Sequence, residues 1–329
     1  MTAPAATLAP GRLLAGLAGL AFLAFALSLA VGPSGFGFGP PGEAGSLIFW
    51  EIRLPRALLG ALVGATLGLA GAALQGYLRN PLAEPSLIGI SGGAALGAVL
   101  AIHLGITQAL ALALPLGGLL GACIAMLAVV ALAGLHGGPI TLILAGLAVS
   151  ATTTALISLA LNLSRNPFAS IEMVYWMMGS LADRSLTQAW LSGPLMLIGM
   201  GLLLLLGRAL DALSLGEDAA VSLGIDARRT RLTLVAGTAL SVGAATAVTG
   251  IIGFVGLLVP HALRALTGHR PGLLLPASLF GGAILVLLAD VALRLVEPWA
   301  DLRIGVLTAL FGAPFFIWLV LKTRRELAP

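Results

Sequence analysis

The residues of this chain best suited to recognising an anion are three arginines near the ends of apolar segments. Arg53 and Arg56 stand three residues apart in RLPR, on one face of a predicted helix, and Arg294 follows a later apolar run. A guanidinium pairs with a carboxylate through two parallel hydrogen bonds, so these arginines suit a partner that presents carboxylates. Asp290 precedes Arg294 by four residues, the spacing at which two side chains meet on a helix. The alternative is that the arginines only anchor helix ends at a membrane surface.

A polar segment, SLGEDAAVSLGIDARRTR at residues 214–231, interrupts the apolar runs. Glu217 and Asp218 would lie in the first turn of a short helix, where negative charge is favourable, and Gly224 would end that helix in a left-handed conformation. A helix this short is unstable in isolation. The segment is therefore either a solvated loop or an element that docks on a partner. Its apolar stripe at helical spacing consists of Ala219, Ala220 and Leu223.

Other chemistry has few candidate residues. Lys322 is the only lysine and no GxxxxGK[ST] motif surrounds it, so the chain itself is not expected to hydrolyse ATP. Cys123 is the only cysteine, which excludes an intramolecular disulfide and a cysteine metal cluster. The histidines lack metal-ligand spacing, no HExxH or GxSxG motif is present, and the dispersed basic residues argue against a nucleic-acid partner. We expect no catalytic residue, metal site or cofactor in this chain.

The composition indicates a membrane protein. Apolar residues make up 59% of the 329 residues, charged residues only 9%, and the mean hydropathy is +1.08. A soluble protein could not bury so much apolar surface, so we predict an all-α, polytopic membrane protein with residues 1–329 in one domain. A span needs about 20 apolar residues. Ten spans are predicted, the third and eighth being short and broken by glycine: 12–32, 54–77, 88–104, 109–135, 140–163, 189–211, 230–251, 253–268, 273–296 and 304–323.

Basic residues predict the orientation. With both termini in the cytoplasm, eleven of the 17 basic residues fall on the cytoplasmic side and six on the outer side, as the positive-inside rule requires. The polar segment 214–231 is then cytoplasmic, and Arg53, Arg56 and Arg294 are external. The first span resembles a signal peptide in length, but nine further spans and the absence of a clear small-x-small cleavage site after it favour a retained helix.

Several motifs resemble the FecCD family of permease subunits, which belong to ABC importers for iron–siderophore complexes, haem and cobalamin. The resemblance runs from about residue 50 to residue 325 and includes RLPR, RNPLAEP at 79–85, GLLVPHALR at 256–264 and LFGAPFF at 310–316. It implies an ABC importer type II permease with ten helices in an internal inverted repeat. It also implies a homodimer that works with two cytoplasmic P-loop ATPase subunits, which bind ATP and Mg²⁺, and with a periplasmic solute-binding protein.

The resemblance also implies roles for particular residues. Arg53, Arg56 and Arg294 would receive carboxylates of the binding protein. Residues 215–224 would form the coupling helix that fits into the ATPase. The residues implied in that coupling are Leu215, Gly216, Glu217, Ala219, Ala220, Leu223 and Gly224.

RNPLAEP and the start of the fifth span would form the translocation path and its inner gate, with Asn80, Leu82, Pro139 and Ile140. The alternative for RNPLAEP is a plain tight turn between two spans. Irregular backbone at membrane depth is tolerated where it is buried or lines a cavity. Pro139 and Ile140 replace the hydroxyl residues of the cobalamin importer, so the family's gate chemistry does not carry over to them.

These features predict a permease of the bacterial inner membrane that brings a metal chelate into the cytoplasm by alternating access. Haem, cobalamin and ferric siderophores all remain open as substrates. The alternative is a secondary transporter driven by protons or sodium, a class that places functional carboxylates or broken-helix ion sites near the middle of the membrane.

Overall fold

The computed structural model describes residues 9–32, 35–37, 42–134, 137–297 and 302–327. The α-helices are α1 Pro10–Ala30, α2 Glu43–Leu47, α3 Leu54–Leu78, α4 Ile90–His103, α5 Ile106–Ala109, α6 Ala113–Ala133, α7 Pro139–Leu163, α8 Pro167–Met177, α9 Leu186–Leu204, α10 Gly207–Leu213, α11 Glu217–Ser222, α12 Ala227–Thr249, α13 Val255–Arg264, α14 Pro271–Val296 and α15 Ile304–Leu327. A π-helical turn, Ile48–Arg53, joins α2 to α3, and a 3-10 turn, Pro85–Ile88, precedes α4. Strands β1 Val31–Gly32 and β2 Gly35–Phe36 form an antiparallel hairpin in which Val31 pairs with Phe36 and Gly32 with Gly35.

Ten segments account for the predicted spans. Within the described residues, eight helices are long and apolar enough to cross a membrane: the continuous stretch Glu43–Leu78, α1, α6, α7, α9, α12, α14 and the Ile304–Lys322 part of α15. The third and eighth spans correspond to α4 and α13, which are shorter. The prediction of about ten membrane helices is confirmed in this sense. The sixth span was predicted too long, because α9 ends at Leu204 and a turn separates it from α10.

The third and eighth spans combine a short helix with irregular chain. At about 1.5 Å per residue, α4 supplies roughly 21 Å of helix and α13 roughly 15 Å, against about 30 Å of hydrocarbon. Irregular chain at 250–254 leads into α13, and the 79–89 connection leads into α4. The two breaks lie against each other: a Cβ on Gly256 would stand 2.6 Å from Cδ of Pro85, and a Cβ on Gly71 would stand 2.0 Å from the carbonyl oxygen of Gly256.

The two ends of the bundle are identified by their contacts. The start of α3 lies beside the end of α14 through Arg56 and Asp290, and we call this the arginine end. The end of α3 lies beside α11 through Arg79 and Glu217, and we call this the α11 end. Helix α12 starts at the α11 end, so it runs opposite to α3. The series α3, break, α4, α6, α7 is thus matched in inverted orientation by α12, break, α13, α14, α15, which is the inverted repeat that the fold class requires.

Glycines allow the central helices to pack backbone to backbone. A Cβ on Gly64 of α3 would lie 2.3 Å from the carbonyl oxygen of Gly282 on α14, and a Cβ on Gly97 of α4 would lie 2.0 Å from that of Gly117 on α6. In lipid, such close packing replaces the hydrophobic effect as the force that associates helices. Helices α3 and α12 are the most enclosed, whereas α1 and α15 lie at the periphery.

Candidate functional site

At the arginine end, Asp290 of α14 holds two arginines. Its carboxylate accepts hydrogen bonds from Nε of Arg56 at 2.9 and 3.1 Å and from Nε of Arg294 at 3.0 Å, and Nη2 of Arg56 lies 2.9 Å away. Nη2 of Arg294 also donates to this carboxylate. The side chains of Asp290 and Arg294 are each 2% exposed, and that of Arg56 is 14% exposed. The pairing of Asp290 with Arg294 at helical spacing is confirmed, and Arg56 joins it from another helix.

Backbone carbonyls take up the remaining arginine donors. Nη1 of Arg294 donates to the carbonyls of Ser28 and Val31 at 2.7 and 2.8 Å, and its Nη2 donates to Oγ of Ser28 at 2.6 Å. Arg53 is buried, and its Nη1 donates to the carbonyl of Leu29 at 3.0 Å and to that of Gly37. The arginines therefore fasten the end of α1 and the β-hairpin to α3 and α14.

This arrangement shows that the predicted shared helix face of Arg53 and Arg56 is wrong, and it limits which of the three arginines a partner could reach. Arg53 and Arg56 do not present one helix face, because Arg53 belongs to the π-helical turn and points to α1 while Arg56 points to α14. Arg53 and Arg294 are buried and bonded inside the chain, so Arg56 is the member of the predicted trio with the largest accessible surface. Docking of a partner through these residues stays a prediction.

At the opposite end, α11 is a six-residue helix with an exposed apolar surface. Glu217 and Asp218 occupy its first turn, and Gly224 adopts a φ of +78°, as expected for a left-handed stop. Ala220 is buried against its own chain. The predicted stripe of Ala219, Ala220 and Leu223 is therefore wrong in one member, because the face that carries Ala220 packs on the bundle. The exposed apolar side chains are Leu215, Val221 and Leu223, which are 70%, 65% and 63% exposed.

Val221 was missed because helical spacing does not say which face of a short helix packs on its own protein. The contacts of two arginines near α11, Arg79 and Arg231, were also not predicted. Nη2 of Arg79 lies 3.1 Å from Oε1 of Glu217, both side chains being largely exposed. Arg231 is buried in the first turns of α12 and donates from Nη2 to the carbonyl of Gly134 at 2.7 Å and from Nη1 to that of Gly137. The bare sequence RRTR indicated only positive charge at a span entrance.

The predicted gate residues lie at the α11 end, on two connections. Asn80 follows α3, and its Oδ1 accepts a hydrogen bond from the backbone N–H of Leu82 at 2.9 Å, which closes a tight turn. Pro139 is the first residue of α7, and Ile140 after it is 74% exposed. A cavity of about 270 Å³ separates the start of α7 from α11, with Pro139 and Val221 among its lining residues.

A buried polar cluster joins the two broken spans. The Nε2 of Gln75 donates to the carbonyls of Ala83 and Gly256 at 3.2 Å each, and its Oε1 accepts from Arg264. The carboxylate of Glu84 accepts from the backbone N–H of Phe254, which precedes the first turn of α13. These contacts supply hydrogen-bond partners to N–H and carbonyl groups of irregular backbone, which would find no water to bond with inside a bilayer. They give the charged side chains of Glu84 and Arg264 fixed partners inside the chain.

Within the part of the chain that the structure describes, no three histidine, cysteine, aspartate or glutamate side chains converge in a way that would hold a metal ion. The polar groups instead bond to one another and to backbone carbonyls. A bundle of membrane-crossing helices with two broken spans, an inverted repeat and a short exposed helix at one end is the architecture of a polytopic transport permease.

Comparison with known proteins identifies the kind of permease. Residues 13–322 match the FecCD transport family. The chain is 41% identical over 317 residues to the vitamin B12 import system permease protein BtuC of Citrobacter koseri, with 95% of each chain covered. It is 42% identical over 320 residues to the protein of the same name from Salmonella typhimurium, with 95% of this chain and 96% of the relative covered. A solved structure, an inward-facing conformation of a metal-chelate type ABC transporter, superposes with a TM-score of 0.83 at 33% identity and covers 95% of this chain and 99% of its own.

The chain therefore belongs to the FecCD transport family. It is a multi-pass membrane permease with the type II fold of ABC importers. The family resemblance read from the sequence motifs is confirmed.

Proposed function

We propose that this chain is the membrane subunit of an ATP-driven importer that carries a metal chelate from the periplasm to the cytoplasm of a bacterium. It would act in the inner membrane as a homodimer with both termini in the cytoplasm, together with two P-loop ATPase subunits and a periplasmic binding protein. ATP and Mg²⁺ would bind only to the ATPases, and this chain would do no chemistry. The family membership and the names of the relatives support this assembly.

The exposed apolar surface of α11 is the observation that carries the proposal. Leu215, Val221 and Leu223 lie in or directly beside the six-residue helix α11 and expose most of their surface. A helix this short gains little stability from its own hydrogen bonds, and large exposed apolar side chains close together in the sequence suit a contact surface. A cleft on an ATPase subunit would cover them.

We place the translocation path beside α7 and between the two copies. Ile140 and several apolar side chains further along α7 are exposed in the single chain, so a second copy would give them a partner. Asn80, Leu82, Pro139 and Ile140 would then surround the exit at the α11 end. Alternating access would consist of opening this exit when the ATPases change state.

For the substrate we propose a corrinoid such as cobalamin first, because the relatives at 41% and 42% identity are named as vitamin B12 permeases. Haem and ferric siderophores are the other candidates, since the structural neighbour is a metal-chelate type transporter. Uptake of labelled cobalamin, haem and a ferric siderophore into proteoliposomes that contain the full complex would distinguish them.

The ATPase contact is tested by Leu223→Asp, which places a charge in the apolar surface of α11. The matched control is Ser222→Asp, which adds the same charge at an exposed polar position on the same helix. Leu223→Asp should reduce co-purification with the ATPase and abolish ATP-dependent uptake, whereas Ser222→Asp should have a much smaller effect. Equal recovery and equal uptake in the two variants would contradict the proposal.

The alternative of an ion-coupled transporter is not favoured by the buried acids. Asp290 is paired with two arginines, and Glu84 accepts a backbone N–H, so both carboxylates already have fixed partners. An ion-coupled carrier would transport without ATPase subunits when a proton or sodium gradient is imposed. Uptake by this chain alone under such a gradient would establish the alternative.

A further inference from the structure

We propose that Arg231 is the positioning residue that transmits movement of α11 to the start of α7, and thereby to the exit of the translocation path. This inference rests on the proposed function and names the link by which the ATPase contact would reach the gate. Three features of the chain support it: how α11 is joined to α12, what Arg231 holds, and what separates α11 from α7.

The connection between α11 and α12 is short and internally hydrogen-bonded. The N–H groups of Gly224 and Ile225 donate to the carbonyls of Val221 and Ala220 at 2.9 and 3.0 Å. Asp226 caps α12, its carboxylate accepting from the N–H of Arg229 at 3.0 Å. This hydrogen bond lowers the pKa of the Asp226 carboxyl, so the cap is charged at neutral pH. A displacement of α11 would therefore be passed to the first turns of α12.

Arg231 lies in those first turns and holds the connection between α6 and α7. Its two terminal nitrogens donate to the carbonyls of Gly134 and Gly137, one nitrogen to each carbonyl. The residue is 4% exposed, so water competes little for these charge-assisted hydrogen bonds. The planar fork of a guanidinium suits two acceptors at once, which a lysine ammonium cannot match.

Gly134 and Gly137, the two residues whose carbonyls Arg231 holds, are tightly constrained, and Gly137 lies directly before the gate. Gly134 has a φ of +66°, and a Cβ on Gly137 would lie 2.1 Å from the carbonyl oxygen of Ala133, so glycine is needed at both positions. Pro139 begins α7 two residues after Gly137, and Ile140 follows. A pull on the carbonyl of Gly137 would thus move Pro139 and Ile140, the two predicted gate residues on α7.

Direct packing between α11 and α7 does not provide this link. The cavity of about 270 Å³ lies between them, with Val221 on one side and Pro139 on the other. The ion pair between Arg79 of the α3 end and Glu217 of α11 joins side chains that are 47% and 61% exposed, so water screens it. Arg231, on α12 directly after α11, is buried and bonds to Gly134 and Gly137 before α7.

The test compares Arg231→Gln and Arg231→Lys with the control Arg228→Gln, an exposed arginine in the first turn of α12. All variants are made in the full complex with ATPase and binding protein, in proteoliposomes. We expect Arg231→Gln to keep ATP hydrolysis while substrate transported per ATP falls about tenfold, which corresponds to the loss of roughly one such contact. Arg231→Lys should retain an intermediate ratio, and Arg228→Gln the normal one.

A second readout follows the gate itself. Cys123 is replaced by alanine, and spin labels on Ile140→Cys report the distance between the two copies. In the otherwise unchanged complex this distance should shift when ATP is added, and in Arg231→Gln the shift should be lost although ATP is still hydrolysed. A residue that only capped α6 would instead lower ATP hydrolysis, transport and protein recovery in parallel.

The outcomes separate this inference from the proposed function. If the unmodified complex shows no ATP-dependent uptake, the proposed function fails. If it transports and Arg231→Gln has a normal ratio and a normal gate shift, the inference about Arg231 fails alone. If neither Arg231 variant yields assembled protein, Arg231 is a folding residue and the inference is also overturned.

Discussion

Replacing Asp290 with asparagine tests whether the arginine end is held by charge. The substitution keeps the size of the side chain and one acceptor oxygen but removes the negative charge shared by Arg56 and Arg294. Arg56 is 14% exposed and can regain water, whereas Arg294 is 2% exposed and cannot. Removing one member of a buried ion pair typically costs 3–5 kcal/mol, and since asparagine retains a hydrogen-bond acceptor we expect about 3 kcal/mol.

The free energy of unfolding can be measured in mixed detergent micelles by titrating SDS and following tryptophan fluorescence. Asp218→Asn on α11 is the control, since it makes the same chemical change at an exposed position. The double variant Asp290→Leu with Arg294→Met should lose less stability than the sum of the two single changes, because it removes both charges together. A cost below about 1 kcal/mol for Asp290→Asn would refute the view that Arg294 depends on this carboxylate.

Two further predictions concern the two ends of the bundle. Arg56→Gln should weaken binding of the binding protein by about 1–3 kcal/mol at low salt and make that binding less dependent on salt, since exposed charges are screened over about 10 Å at 0.1 M. The control is Arg165→Gln, which changes an exposed arginine in the loop before α8. Equal effects of the two substitutions would contradict docking at Arg56. In a chain with Cys123 replaced by alanine, a cysteine at Ser214 should react with an impermeant maleimide only from the cytoplasm and one at Thr187 only from the outside. Thr187 is preferred to Ser185 because Ser185 caps α9. The reverse pattern would invert the orientation.

The spans were predictable because lipid imposes one strong rule on them. A segment that crosses hydrocarbon must be apolar and must satisfy its own backbone, so length and hydropathy locate it. The second and fifth spans were predicted as 54–77 and 140–163 and are α3, Leu54–Leu78, and α7, Pro139–Leu163. Helix α8, Pro167–Met177, was not predicted, because it is too short to span and hydropathy alone does not indicate such a helix.

The site was less predictable because its contacts join residues far apart in sequence. The pairing of Asp290 with Arg294 is local and follows from helical spacing, but Arg56 reaches the same carboxylate from 234 positions away. Arg231 bonds to carbonyls 94 and 97 positions earlier, and backbone acceptors leave no trace in side-chain types. The inward face of α11, with Ala220 buried, likewise depends on packing that the sequence of that helix does not encode.

The irregular chain at 250–254 bears on how the protein enters the membrane during synthesis. This segment has only ten helical residues, in α13. Such a helix is too short to cross the hydrocarbon, and the irregular chain before it leaves backbone groups without hydrogen bonds, so the segment would not move from the translocation channel into lipid by itself. The carboxylate that bonds the N–H of Phe254 belongs to Glu84, which is synthesised 170 residues earlier. We therefore expect the early helices to remain beside the translocation channel, with the Glu84 connection accessible, until this segment emerges. The second half of the chain would then depend on the first half, already inserted, for the hydrogen-bond partners that its broken span needs.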